Sequence, residues 1–394
     1  MKIKLSSILL TFSLAASLGM AETTPPTALL VLNKGDNTLA IVDPATLKVV
    51  GRAPAGNDPH EVVASADGKL AFISNYRGGH TLSVVDLVAQ KALPAIELGA
   101  LRSPHGLAVA GGKIYFTAEG SKVIGSYDPS AQKIDWVLGL GQNRTHMVVV
   151  GKDSKRIFTS NVNSDTISII DKSSDDRGPG GFGGPPPGGG PGGPPPDGGP
   201  GGPPPDGGPG GPPPDGGPGG PPPAGGFGGP PPGGPGGPPG GGGPGEWNVT
   251  NIAVGHGPEG FDLSPDGKEI WAANSHEGTV SVIDVEKKAV VRTLNVPTRF
   301  ANRLKFTPDG RLAFISDLGG GDLVMVESAS RKELKRLKLG GGAAGILMQP
   351  DGSRAYVAVG SENGITVIDL QSLEVAGHIQ TGPGPDGLGW AVRN

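Results

Sequence analysis

The chain contains no cysteine among its 394 residues. Disulfides, thiolate metal ligands, a lipid-modified cysteine and a covalently attached haem of the Cys-x-x-Cys-His type are therefore all excluded. Aromatic residues make up only 5% of the sequence. The longest apolar stretch, Leu5 to Leu18, falls short of the ~20 residues needed to cross a bilayer as a helix. No lysine or arginine cluster stands out and the formal net charge is −4, so the basic face that phosphate-backbone binding favours is missing and no nucleic-acid partner is expected. No long helical periodicity occurs, and there is no Walker sequence, zincin motif or Gly-x-Ser-x-Gly elbow. Gly255-His256-Gly257-Pro258-Glu259-Gly260 has the spacing of a dinucleotide fingerprint. It leads into a strand, so no helix N-terminus is available for a phosphate.

Glycine and proline are abundant instead, at 72 and 42 residues. The first 21 residues carry Lys2 and Lys4, the apolar stretch, and small residues at Gly19 and Ala21. They read as a secretory signal peptide cleaved after Ala21, which predicts a periplasmic or secreted protein with no transmembrane segment in its mature form. Much of the glycine and proline lies in Gly178–Gly245, where Pro-Pro-Pro-Asp runs place Asp197, Asp206 and Asp215 nine residues apart. Glycine does not fall at every third position through these runs, which argues against a collagen helix. With Phe182 and Phe227 as its only large apolar residues, the segment is expected to be a disordered, partly polyproline-II loop. It would serve as a tolerated insertion, or as a spacer or docking site for an envelope partner.

The rest is periodic. Asp43, Asp86, Asp128, Asp171, Asp284 and Asp369, with Glu327 in an equivalent slot, are separated by 43, 42, 43, 113, 43 and 42 residues. Removing the 68 residues of the Gly/Pro segment shortens the wide gap to 45. Each acid closes a short alternating run such as Thr38–Asp43 or Thr279–Asp284, and turns such as Ser264-Pro265-Asp266-Gly267 and Thr307-Pro308-Asp309-Gly310 separate neighbouring runs. Four strand-like runs per unit and seven units predict an all-β, seven-bladed β-propeller with four-stranded blades. Residues 22–177 and 246–394 form it as one domain, and residues 178–245 sit in the turn between strands c and d of the third blade. The ends are out of phase: Ala28–Asn33 reads as a strand b and Asp386–Val392 as a lone strand a, so the two termini should complete one blade and remove the open edge.

Strand a starts, and strand b ends, at the same mouth of the channel. Counting back five residues from each a–b turn gives His60, His105, His146, Glu259, Asn302, Ala344 and Asp386. The strand-b ends give Asn33, Asn75, Glu119, Asn161, Asn274, Asp317 and Gly360, residue types that also close strands for backbone reasons alone. His80, His256 and His276 map towards the same face, and His378 does not. Candidate ligand-binding residues are therefore His60, His105, His146, Glu259, Asn302 and Asp386. Either His60, His105 and His146 converge on a transition metal, or they are hydrogen-bonded around a water-filled channel. Glu259 or Asp386 would complete a metal site or act as general base. No catalytic residue is assigned and no cofactor is expected.

Leu70-Ala71-Phe72-Ile73-Ser74-Asn75, Ile270-Trp271-Ala272-Ala273-Asn274 and Tyr356-Val357-Ala358-Val359 resemble the Tyr-Val-Thr-Asn core of the YVTN propeller repeat, and Thr279–Asp284 fits its continuation. The resemblance is to the YncE-like group of exported propellers. It implies a seven-bladed ring and no settled activity, within a wider set that includes surface-layer proteins, a lactonase family and the propeller domain of nitrous oxide reductase. The copper cluster of that reductase needs more histidines than this mouth offers. A non-catalytic ligand- or protein-binding scaffold is expected, with a metal-dependent or lactonase-like hydrolase as the alternative.

Overall fold

The computed structural model describes residues 23–173 and 247–393. The expected signal peptide and the Gly/Pro segment lie outside the described residues. The remainder is a seven-bladed propeller of four-stranded antiparallel sheets. Blades 1 to 6 begin at strands Pro59–Ala64, Pro104–Ala110, Thr145–Val150, Pro258–Leu263, Ala301–Phe306 and Ala343–Met348. Blade 7 joins the two termini: strand a, Pro385–Val392, pairs with strand b, Thr27–Asn33. In blade 3, Thr166–Lys172 pairs directly with Trp247–Ala253, so strands c and d of this blade come from either side of the Gly/Pro segment in the sequence. Among the described residues no helix is long and apolar enough to cross a membrane.

Seven buried apolar clusters form the core, each drawn mainly from the facing sheets of two neighbouring blades. The alternating strands supply them because both faces of each blade are covered by neighbours. The periodic acid has a local task. The carboxylates of Asp43, Asp86, Asp128, Asp284 and Asp369 accept backbone N–H groups two or three residues on, shaping the c–d turn. Asp171 stands where the long insertion begins and pairs instead with Arg156 (2.6 Å) and Lys288 (2.7 Å).

Three repeated details position the mouth. Every strand a carries a register shift against strand b at its channel end, for example between Pro59 and Val62 in blade 1. Such a bulge re-aims the side chain it contains, here at or beside the second residue of each strand. The hydroxyls of Ser74, Thr117, Ser160 and Ser316, each next to last in strand b, donate to the carbonyls of His105, His146, Glu259 and Ala344 in the following blade at 2.6–3.1 Å. The same four hydroxyls accept an N–H from their own strand a. In four blades the residue after the site position is glycine: Gly106, Gly260, Gly345 and Gly387. A Cβ at Gly387 would lie 2.1 Å from the carbonyl oxygen of His60 in the next blade. We expect Gly387→Ala to lower stability by about 1–3 kcal/mol, read as a shift in urea midpoint. Gly139→Ala, where a Cβ meets nothing within 4 Å, should leave the midpoint nearly unchanged.

Candidate functional site

All six candidate residues, His60, His105, His146, Glu259, Asn302 and Asp386, line one cavity of about 490 Å³ at the channel mouth. Ala344 lines it too, as the apolar seventh member of the set. The strand-b ends mostly do not join them. Asn161 and Asn274 donate to hydroxyls of their own strand c. Asp317 accepts the N–H groups of Arg299, Phe300 and Gly320. Two differ: Gly360 lines the cavity, and Glu119, which opens a short 3-10 turn, is buried against His146. His256 lies on the surface against Asp165 (3.0 Å), with its ring 4.8 Å from that of His276, and His80 faces Glu97 (3.3 Å).

The site falls into two charge networks. In the first, His146 sits between two carboxylates. Its Nδ1 contacts Glu119 Oε1, and its Nε2 lies 2.7 Å from Glu259 Oε2, at ion-pair distance without hydrogen-bond alignment. Arg144 ties the outer oxygens together, at 3.0 Å from Glu259 Oε1 and 3.7 Å from Glu119 Oε2. Tyr76 donates its hydroxyl to Glu119 Oε2 at 2.6 Å. Burial disfavours the imidazolium of His146, but Glu259 and Glu119 outweigh it and raise the pKa above the usual histidine value. Burial likewise opposes ionisation of Glu259, yet His146 and Arg144 hold its pKa at about 2. Burial and then Glu119 push the Tyr76 phenol up to about 12.

In the second network, Lys34 reaches His60 Nε2 (2.8 Å) and Asp386 Oδ2 (3.3 Å), and His60 Nε2 lies 3.4 Å from Asp58. Arg303, 5% exposed, meets Glu61 Oε1 at 2.5 Å and Asp386 Oδ1 at 4.0 Å. Burial, reinforced by Lys34, lowers the His60 pKa to about 4. Burial opposes the Arg303 charge, but Glu61 and Asp386 raise its pKa above the ordinary arginine value.

His105 bridges the networks through its ring, with centroids 3.7 Å from His146 and 4.6 Å from His60. It is fully buried and its pKa lies well below the usual value, first through burial and then through His146 and His60. The three expected histidines thus form a stacked row. His105 and His146 share their surroundings with Glu119, whereas His60 is engaged by Lys34, Asp58 and Asp386.

Glu61 and Arg303 carried a sequence signal that went unread. They stand where four blades have glycine, and their side chains meet across the channel from blades 1 and 5. Lys34, Tyr76 and Arg144 lie in loops with no such signature.

These features define a seven-bladed β-propeller with a charged, buried channel mouth. No family model matches the chain, and no curated protein matches it. Among solved structures it resembles a protein of unknown function from Desulfotomaculum acetoxidans, at 10% identity over 91% of this chain and 98% of that one, with a TM-score of 0.62. Hydrazine synthase of Kuenenia stuttgartiensis aligns at 14% identity over 92% of this chain and 100% of its own, with a TM-score of 0.62. A candidate 6-phosphogluconolactonase from Bacteroides uniformis aligns at 14% identity over 92% and 99%, with a TM-score of 0.61. At such identities the likeness is one of fold.

Proposed function

We propose that this chain is an exported, YncE-like propeller, periplasmic or secreted, that binds a small polar ligand or a protein segment at its channel mouth without catalysing a reaction on it. The observation that carries this is the charge state of the mouth. General acid–base catalysis works best with a group whose pKa lies near the working pH. Here Glu259 is held near 2 and His60 near 4, while His146 is locked between two carboxylates. Groups fixed in this way suit recognition by complementary charge. The apolar wall from Phe300, Leu318 and Ala344 leaves one side of the cavity free for a ligand body. Export is supported by the signal-like character of residues 1–21, and the net charge of −4 speaks for a partner other than nucleic acid.

The neighbour described as a candidate 6-phosphogluconolactonase sets the rival to be tested. Incubated with 6-phosphogluconolactone and simple lactones, the purified chain should give no hydrolysis above the buffer rate. Hydrolysis that disappears in Glu259→Gln would overturn the non-catalytic assignment. For binding, a panel of small polar metabolites should include compounds that raise the melting temperature of the wild type and do so far less for Asn302→Leu.

A further inference from the structure

We propose that the mouth also holds one divalent transition-metal ion, ligated by His105, Glu119 and His146. One donor atom from each of the three lies within 4.8 Å of the other two, and all three residues are buried. Glu259 stays outside the set: its Oε2 lies 2.7 Å from His146 Nε2, whereas Glu119 faces the other ring nitrogen. Within the set, His105 Nδ1 is buried without a hydrogen-bond partner. Its residue is 1% exposed. Buried polar atoms are normally paired, and an orphan in such a cluster points to a missing partner. A cation suits it, since a neutral imidazole nitrogen offers a lone pair.

The surroundings are built as an outer shell would be. Tyr76 and Arg144 occupy Glu119 Oε2 and Glu259 Oε1, which leaves Glu119 Oε1 and Glu259 Oε2 turned towards His146. Such outer contacts orient ligands in known metal centres. The backbone beneath is anchored as well, because Ser74, Thr117 and Ser160 hold the carbonyls of His105, His146 and Glu259. Donor atoms of a tetrahedral site with bonds of about 2.0–2.1 Å stand roughly 3.4 Å apart. Two imidazoles and one carboxylate favour zinc, nickel, cobalt or copper(II) over calcium or magnesium. The site goes beyond the small-ligand assignment and is independent of it, because metal binding can be measured with no organic ligand present.

The test uses the full chain purified without a histidine tag, stripped with EDTA and titrated calorimetrically with Zn²⁺. Expected is one equivalent with a Kd on the order of 1 μM or below. His105→Gln and Glu119→Gln should each weaken binding by about tenfold or more, while the surface pair variant His256→Ala/His276→Ala should bind as wild type. Cu²⁺ loaded into the wild type should show nitrogen couplings from two imidazoles by electron paramagnetic resonance, which keeps the test decisive should a buried variant misfold. No stoichiometric binding, undiminished binding in a folded His105→Gln, loss of binding in the His256/His276 variant, or copper without nitrogen coupling would each overturn the proposal.

Discussion

Arg303→Met will destabilise the propeller by about 3–5 kcal/mol, the cost of breaking a buried ion pair by removing one partner. Arg303 lies in the channel, and its guanidinium meets Glu61 at 2.5 Å across 242 residues of sequence. Without it, the carboxylates of Glu61 and Asp386 lose their shared partner in a largely buried site, and of the two only Asp386 is paired with Lys34. The double variant Arg303→Met/Glu61→Gln should recover a substantial part of the loss, because Asp386, which Lys34 still pairs, is then the carboxylate left beside the vacated position. Guanidinium midpoints for the four proteins of this cycle give the coupling energy directly. If the single and double variants were equally destabilised, packing of the arginine stem would be the main contribution and the cross-channel pair a minor one.

Stability should peak near pH 6.5–7 and fall on both sides, each limb having its own residues. His60 has a folded pKa of about 4 against about 6.5 unfolded, so its contribution is complete above 6.5 and is lost as pH falls towards 4. At about 1.36 kcal/mol per unit, that loss reaches up to about 3 kcal/mol at pH 4. His105 is shifted in the same direction and steepens this limb. Glu259, held at about 2, contributes stability above about 4.5 that is lost only as pH falls further, so it extends the acid limb downwards. His146 is shifted the other way. Its contribution is complete below about 6.5 and is lost as pH rises through its raised folded value, which produces the alkaline limb. Denaturant midpoints at pH 4.5, 6.5 and 8 test this. His60→Gln should flatten the acid side, and His146→Gln should remove the alkaline side. A flat wild-type profile between pH 4.5 and 6.5 would mean that His60 titrates normally and that the pairing with Lys34 and Asp58 is not maintained in solution.

How much of this was legible in advance depends on the range of the interaction. The seven blades and the shared terminal blade followed from strand alternation and turn chemistry, which act over a few residues and repeat about every 43. The six mouth residues were also legible, because a fixed count back from each turn finds the second residue of every strand a, where the bulge aims the side chain into one cavity. Even the hydroxyl next to last in strand b, from Ser74, Thr117, Ser160 and Ser316, has a role that recurs in blades 1, 2, 3 and 5.

The sequence by itself therefore determined the ring and which positions face its channel. Only the tertiary structure decided which of those residues meet. Ring closure sets Glu61 against Arg303, Glu119 and Glu259 on either side of His146, and Lys34 against His60. These partners come from different blades, and their separations depend on the radius and twist of the closed ring, which no local pattern encodes. The charge states follow from the same cause: imidazoles in adjacent blades become neutral or cationic according to the carboxylates and cations that the closed ring places beside them.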